Sequence, residues 1–330
     1  MRRPGPIPLL AFSVAILATA VGTGPATAGH GPRAGAAALD GEILAQTLGR
    51  AARLERLHAL IVARDGRTVV ARRFRGPGLD VPVNVKSVSK TVIAALIGAA
   101  IARGVISGPD QPVARFLAEY MPANGDPRLQ RLTVGHLLSM RAGLARTSGR
   151  NYGRWVASRD WVRYALSRPF VEEPGGAMLY STGSSHLLSA LLTRAAGRTT
   201  LDLARDWLGK PLGITVPAWQ RDPKGFYFGG NNMLLSPRAL LRLGEMYRTG
   251  GRFGGRRVLP EGWVRASWTK RTTSPWSGDG YGYGWFITEA CGFDVFYARG
   301  FGGQFIYVVP GLKMTVVITS ATTQRTRVGG

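Results

Sequence analysis

The sequence contains very little cysteine and histidine, and few acidic residues. Its 330 residues include 1 Cys, 4 His and 19 Asp+Glu against 43 Lys+Arg, which gives a formal net charge of +24. A single cysteine excludes an internal disulfide. Four scattered histidines leave no close-spaced Cys/His ligand set, so we predict neither a metal nor a cofactor. The small and apolar neighbours of Cys291 indicate a buried, inert thiol.

Continuous basic runs are also missing, although the net charge is +24. No run of five or more basic residues occurs, and neither a zinc finger nor an aromatic RNA-binding box is present. We assign the charge to an arginine-rich solvated surface and predict no nucleic-acid partner. The alternative is an attraction for anionic envelope polymers or lipid. The sequence predicts no particular oligomeric state.

The N-terminal residues have the pattern of an export signal. Two arginines precede the apolar stretch Leu9–Val21, which is too short to span a bilayer comfortably, and small residues follow up to Ala28. We therefore predict a signal peptide over 1–28, a loose leader over 29–38 and an exported protein with no stable membrane anchor after cleavage. The alternative is an uncleaved N-terminal anchor.

Helical and strand patterns divide the rest of the chain. Apolar residues recur at helical spacing from Leu39 to Arg56, with Asp40 as a candidate N-cap, and Asp65–Gly66 between two β-rich runs predicts a hairpin. Residues 88–105 are apolar nearly all round, which predicts a buried helix. Helical stretches then alternate with Gly/Pro loops, and the pattern returns to strands after residue 281.

Strands at both ends with helices between them predict an α/β (α+β) fold, with one sheet built from both termini and an inserted all-helical region. We expect a single catalytic domain over 39–325. Its sheet region would cover about 39–86 and 276–325, and its helical region about 87–275.

The segment Ser87-Val-Ser-Lys90 is an S-x-x-K motif at the start of the predicted buried helix. Residues i and i+3 share a helical face, so the lysine amine can reach the serine hydroxyl. Burial lowers a lysine pKa and makes the neutral amine available as a base for a serine nucleophile. The backbone N–H of a serine at a helix start is free to stabilise an oxyanion.

A second copy of the motif, Ser267-Trp-Thr-Lys270, lies in a polar stretch with no apolar helix after it. We interpret this copy as a surface coincidence.

Two further segments carry residues suited to the same chemistry. Tyr180 lies in a loop before a predicted helix, where its phenol could relay a proton near a lysine. The segment Arg299–Gln304 is a glycine-rich strand start, where substrate can lie against the backbone and an N–H can supply a second oxyanion donor. The alternatives are a core or turn tyrosine and an ordinary strand-end turn.

In this order, the three segments resemble the serine β-lactamase and penicillin-recognising superfamily, for which S-x-x-K is a signature. The similarity is greatest to the class C branch, and within it to esterases and 6-aminohexanoate-dimer hydrolases. Supporting segments are 132–144, 180–189, 225–236 with its Gly-Gly-Asn-Asn, and 281–285. The resemblance covers roughly residues 40–320. It implies a β-lactamase/transpeptidase-like fold, with a mainly antiparallel sheet flanked by helices.

The resemblance also implies roles. Ser87 would be the acylated nucleophile and Lys90 its base or charge partner. Tyr180 would be the general acid/base that activates Ser87 and later the water. The N–H groups of Ser87 and Gln304 would form the oxyanion hole.

The chain departs from the family where substrate is bound. Thr182 stands where the family has asparagine, and Phe301-Gly302-Gly303 stands where it has Lys-Thr-Gly. We expect these four positions to contact substrate, and Arg299 could supply a positive charge. The departures favour an exported esterase or amidase acting on a small-molecule ester or amide. The alternatives are a D-Ala-D-Ala carboxypeptidase or β-lactamase, and a non-catalytic envelope-binding relative.

Overall fold

The structure is a computed structural model that describes residues 39–322. The predicted signal peptide and leader, and residues 323–330, lie outside the described residues. Helix α1 (Gly41–Ala52) opens the described chain, and the Asp40 carboxylate accepts hydrogen bonds from the backbone N–H groups of Glu42 and Ile43 at 2.9 and 3.0 Å. Asp40 is therefore the N-cap that the sequence predicts.

An eight-stranded sheet in which all neighbours are antiparallel forms the centre of the molecule. Its strands are β1 (Leu57–Arg64), β2 (Arg67–Arg73), β7 (Thr272–Thr273), β8 (Gly280–Tyr281), β9 (Phe286–Ala290), β10 (Phe293–Gly300), β11 (Gln304–Val309) and β12 (Met314–Ser320). Their order across the sheet is β2-β1-β12-β11-β10-β9-β8-β7. Strand β1 lies between β2 and β12, so both ends of the described chain build one sheet. This confirms the predicted fold class.

The β1–β2 turn explains why the hairpin prediction succeeds. Asp65 and Gly66 have φ of 49° and 78°. A two-residue hairpin turn whose twist matches the strands needs positive φ at both positions, which Asp and Gly tolerate best.

Helices alternate with loops in the chain between β2 and β7. The α-helices are α2 (Ser89–Ala102), α3 (Ala114–Leu117), α4 (Val134–Leu138), α5 (Tyr152–Val156), α6 (Trp161–Leu166), α7 (Thr182–Ala196), α8 (Thr200–Ala204), α9 (Lys210–Leu212), α10 (Pro237–Arg248) and α11 (Glu261–Trp268). The region predicted as all-helical, about 87–275, also contains short strands, which corrects that part of the prediction. Strand β4 (Leu234–Leu235) pairs with β3 (Val83–Asn84), β5 (Arg252–Phe253) pairs with β6 (Arg256–Arg257), and β7 belongs to the central sheet.

Helix α2 is the buried helix that the sequence predicts. Its first 12 residues are all buried, in a core shared by the sheet and the helical region. A Cβ on Gly98 would lie 2.2 Å from the Trp263 indole nitrogen, so the glycine is what lets this ring pack directly on α2. The buried helix provides the low-dielectric surroundings of Lys90.

The expected burial of Cys291 is wrong. The thiol is exposed, because Cys291 and Gly292 form the two-residue turn between β9 and β10, with φ of 52° and 77°. The apolar neighbours belong to a hairpin tip and not to the core.

Within residues 39–322, no helix is both long enough and apolar enough to cross a bilayer. In the same range, no three His, Cys, Asp or Glu side chains come together as a metal site.

Candidate active site

Ser87 lies in a single 3-10 turn, Lys86–Val88, that leads directly into α2. The preceding residue, Lys86, has φ of 51°, and its N–H donates to the Asn84 side-chain oxygen at 2.9 Å. A left-handed conformation at a residue with a side chain costs roughly 1–3 kcal/mol and persists only where the surroundings impose it. The strained turn places half-buried Ser87 directly before the N-terminus of α2.

Lys90 lies one helical turn later, and its Nζ is 2.9 Å from Ser87 Oγ. The side chain is only 3% exposed, and burial lowers the pKa of Lys90 to about 7. Near neutral pH a large fraction of this amine is therefore uncharged. A neutral amine has a lone pair that can accept the Ser87 hydroxyl proton. The predicted proximity of these two groups is present in the structure.

Lys90 Nζ also donates a hydrogen bond to the carbonyl oxygen of Gly230 at 2.6 Å. The loop that carries this carbonyl packs against α7 backbone to backbone. A Cβ on Gly230 would lie 2.6 Å from the Thr182 carbonyl oxygen, and one on Gly229 would lie 2.1 Å from that of Ser185. The two glycines are thus required for the close approach of this loop to α7. That approach positions the Gly230 carbonyl oxygen that accepts from Lys90. The Gly-Gly-Asn-Asn segment is the sequence signal for this contact.

Tyr180 reaches the same site from the loop before α7, with its ring centroid 5.0 Å from Lys90 Nζ. Its ring contacts Tyr281 and Phe286, each with centroids 6.2 Å apart. Burial raises the pKa of Tyr180 to about 12, although a hydrogen bond with Ser87 and the charge of Arg299 act in the opposite direction. The phenol therefore keeps its proton at neutral pH and can donate it. The structure brings Ser87, Lys90 and Tyr180 together.

Thr182 does not line the cavity at Ser87. It is buried as the first residue of α7, and its hydroxyl lies 3.5 Å from Lys90 Nζ and 2.9 Å from Ser148 Oγ. Its N–H donates to Ser148 Oγ at 2.8 Å. Thr182 therefore contacts Lys90 and the loop of Ser148.

The glycine-rich segment forms the turn between β10 and β11. Phe301 is 59% exposed and lines the cavity, while Gly302 and Gly303 have φ of 85° and 100° in the turn. Gln304, at the start of β11, is fully buried. Its side-chain amide donates to the Ser320 carbonyl at 2.7 Å, and its side-chain oxygen accepts from the Ser320 N–H at 3.3 Å. The side chain therefore joins β11 to β12, and Gln304 is not among the residues that line the cavity at Ser87.

A cavity of about 320 Å³ opens at Ser87, next to Tyr180, Gly300 and Phe301. Its lining includes Arg299, as expected from the sequence. It also includes five residues that sequence reasoning did not assign, namely Arg146, Ser148, Ser274, Trp276 and Phe286. A larger cavity of about 660 Å³ lies beside α10 and the β5–β6 hairpin, and it does not contain Ser87.

The second S-x-x-K copy is not a site, but the expectation of a surface position is wrong for its serine. Ser267 is fully buried near the end of α11, and its hydroxyl donates to the Trp263 carbonyl at 2.8 Å. The helix ends at Trp268, so exposed Lys270 does not share a helical turn with Ser267.

A sequence profile described as beta-lactamase matches residues 52–329. The chain belongs to the beta-lactamase family. It is 29% identical to esterase EstB of Burkholderia gladioli over 177 residues, which are 47% of this chain and 44% of the esterase. It is 28% identical to 6-aminohexanoate-dimer hydrolase of Paenarthrobacter ureafaciens over 227 residues, 63% of this chain and 56% of that protein. The chain thus spans about half the length of the curated relatives it matches.

Solved structures agree on the fold of this beta-lactamase family member. A Bacillus anthracis protein described as a 6-aminohexanoate-dimer hydrolase matches with a TM-score of 0.70 and 19% identity, covering 86% of this chain and 77% of that one. At this identity the match establishes the fold alone.

Proposed function

We propose that the chain is a serine hydrolase that cleaves small-molecule esters or amides through an acyl-enzyme on Ser87. The observation that carries the proposal is the 2.9 Å approach of a buried lysine amine, with a pKa of about 7, to the serine hydroxyl. A serine becomes an effective nucleophile when an adjacent base takes its proton. The relatives named as an esterase and a 6-aminohexanoate-dimer hydrolase support the same reaction class.

The residues suggest how the reaction proceeds. Ser87 Oγ attacks the substrate carbonyl carbon while its proton passes to Lys90 Nζ. The carbonyl oxygen becomes an oxyanion, which the N–H group of Ser87 would stabilise. Tyr180 would donate a proton to the leaving group as the bond to it breaks, which leaves the acyl group on Ser87. Water then attacks the carbonyl carbon of the acyl-enzyme and gives a proton to Tyr180. Lys90 returns its proton to Ser87 Oγ as the acid is released.

Covalent labelling tests the nucleophile. We expect a fluorophosphonate probe to label the wild-type protein and not Ser87→Ala, and ester turnover to fall by about a thousandfold or more in that variant. Ser267→Ala is the matched control, because it removes the serine of the second S-x-x-K copy and should keep both labelling and turnover. Equal labelling of Ser87→Ala and wild type would refute the proposal, and so would loss of labelling in the control alone.

The ester and amide reactions are separated by a substrate panel of short-chain 4-nitrophenyl esters, linear amides and a chromogenic cephalosporin. Phe301, Gly302 and Gly303 in place of Lys-Thr-Gly favour turnover of esters and linear amides over cephalosporin. Lasting labelling by penicillin would favour the carboxypeptidase alternative. Absence of turnover on every substrate, with no probe labelling, would favour a non-catalytic binding protein.

We also propose that the protein is exported and acts outside the cytoplasm, on the strength of the N-terminal pattern over 1–28. Expression of the full chain in a bacterium followed by N-terminal sequencing tests this. A mature terminus at Gly29 in the exported fraction is expected, and an intact Met1 terminus in the cytoplasm would refute it.

A further inference from the structure

The cavity of about 660 Å³ beside α10 is cationic. It opens between α10, the β1–β2 hairpin and the β5–β6 hairpin, and it shares no lining residue with the cavity at Ser87. Its charged lining residues are one glutamate and four arginines, namely Glu245, Arg238, Arg242, Arg248 and Arg252. The proposed hydrolysis therefore assigns no role to this cavity.

The glutamate compensates only one of these arginines. Glu245 is 8% exposed, and its two carboxylate oxygens accept from Arg248 Nε and Nη2 at 2.8 Å each. The same carboxylate accepts from Thr315 Oγ1 at 2.5 Å. Since its oxygens are already bonded within the fold, three positive charges remain among the lining residues.

Arg242 and Arg252 are held by neutral groups. Arg242 Nη1 donates to the carbonyl oxygens of Leu212 and Gly213, and Arg252 Nη1 donates to the Gly255 carbonyl oxygen at 3.2 Å. Neither guanidinium has a carboxylate partner among the ion pairs of the described part of the chain. A guanidinium has five N–H donors, so each of these side chains is positioned and still has donors for a ligand.

The third uncompensated charge is that of Arg238. Its Nε lies 3.3 Å from an Asp80 carboxylate oxygen, but the Asp80 side chain is 79% exposed and does not line the cavity. An ion pair this exposed contributes little free energy, so an anion in the cavity can compete for the arginine.

The four arginines form two pairs at opposite ends of the cavity. Arg238 and Arg242 lie one helical turn apart on α10, whereas Arg248 is the last residue of that helix and Arg252 begins β5. The first and third of these arginines are separated by about 15 Å along the helix at 1.5 Å per residue. A Cβ on Gly66 would lie 4.0 Å from Arg248 Nη2, so this guanidinium extends toward the β1–β2 turn.

Paired arginines suit phosphate better than carboxylate. A carboxylate has two oxygens, and one guanidinium fork engages both of them. A phosphate group has further oxygens for a neighbouring guanidinium. Two separated pairs suit a ligand with more than one phosphate.

The cavity lacks the apolar rim that a lipid surface would need. Membrane binding depends on apolar side chains that enter the acyl boundary. None of the exposed large apolar side chains within the described residues lines this cavity, and these are Val69, Val81, Val171, Trp276 and Phe301. These observations favour a soluble ligand.

We propose that this cavity binds a soluble anion that carries two or more phosphate groups, with one phosphate at Arg238 and Arg242 and another at Arg248 and Arg252. The inference does not depend on hydrolysis at Ser87, because the two cavities have separate linings.

Isothermal titration calorimetry of the full chain tests the ligand class. The probe is sodium tripolyphosphate, compared with inorganic phosphate and with citrate, which carries three carboxylates. We expect one saturable site for tripolyphosphate, with a Kd at least about tenfold lower than for either comparison anion. This is the scale of an additional charge-assisted hydrogen bond.

Three variants assign the binding to this cavity. Arg242→Met and Arg252→Met should each raise the Kd for tripolyphosphate by about tenfold. Arg256→Met is the matched control, because it removes the same charge from an exposed residue of the β5–β6 hairpin that does not line the cavity. It should change the Kd by less than about twofold. Urea unfolding reports that each variant is folded, and ester turnover should be unchanged in all three.

Four outcomes would overturn the inference. One is the absence of saturable binding at millimolar tripolyphosphate, and another is equal affinity for citrate. A third is an equal loss of affinity in Arg256→Met, which would indicate diffuse surface charge. The fourth is arginine-dependent binding of phosphatidylglycerol vesicles without binding of tripolyphosphate. If Arg242→Met fails to fold because its contacts with Leu212 and Gly213 are lost, the exposed Arg252→Met decides the assignment.

Discussion

The buried amine of Lys90 predicts an unusual dependence of stability on pH. Its pKa is lowered from 10.5 to about 7 in the folded chain, because burial disfavours the ammonium form. Below pH 7 both states carry the proton, and the folded state bears the full cost of a buried charge. Between pH 7 and pH 10.5 the unfolded chain still binds a proton that the folded chain has lost. The free energy of unfolding therefore rises with pH across this window.

The size of the effect follows from the shift. One pKa unit corresponds to about 1.4 kcal/mol, and the proton-linkage relation gives a gain of about 2 kcal/mol from pH 7 to pH 9 for this single group. Lys90→Met removes the titrating group and keeps most of the side-chain volume. We expect urea unfolding to show the wild type gaining about 2 kcal/mol relative to Lys90→Met between these two pH values.

The difference in unfolding free energy between wild type and Lys90→Met cancels the contributions of all titrating groups that the two proteins share. An equal pH dependence in wild type and Lys90→Met would refute the lowered pKa of Lys90, and with it the role of this amine as a base. The same pKa should govern catalysis. For a neutral ester, kcat/KM is expected to rise with pH through a midpoint of about 7 as the amine loses its proton.

Three further predictions concern other positions and other readouts. Tyr180→Phe and Lys90→Ala should each lower turnover by about two orders of magnitude or more without unfolding the chain, and near-normal turnover in either would contradict the assigned chemistry. Gly230→Ala should cost about 1–3 kcal/mol and lower activity, since its Cβ would lie 2.6 Å from the Thr182 carbonyl oxygen and displace the acceptor of Lys90. Chemical denaturation and ester turnover would test this, and an unchanged variant would show that the loop has room to adjust. Cys291→Ser should leave turnover unchanged, whereas the native thiol should react with Ellman's reagent without denaturant. Reaction only after unfolding would contradict its exposure.

Cys291 and Ser267 show where the sequence neighbours of a residue fail to predict its burial. Cys291 has apolar neighbours, yet the tight turn between β9 and β10 places it at the tip of a hairpin. Ser267 lies in a polar stretch, yet it is buried because α11 packs its serine face inward. Burial at such positions depends on which element lies opposite, and a short window of sequence contains no information about that partner.

Features that depend on neighbours along the chain can be predicted from the sequence. The Asp65–Gly66 turn, the buried character of α2 and the one-turn spacing of Ser87 and Lys90 all follow from residues within a few positions of one another. Helix geometry alone brings a side chain at i+3 to one at i, and an apolar helix carries its lysine into the core with it.

The surroundings of Ser87 and Lys90, by contrast, depend on contacts between distant parts of the chain. The carbonyl that accepts from Lys90 belongs to Gly230, 140 residues away, and Arg146 and Arg299 meet at the cavity from separate elements. Their approach depends on the packing of a loop against α7 and on the order of strands in the sheet. Contacts between distant residues are fixed by the balance of packing over the whole domain, so residue spacing along the chain cannot specify them.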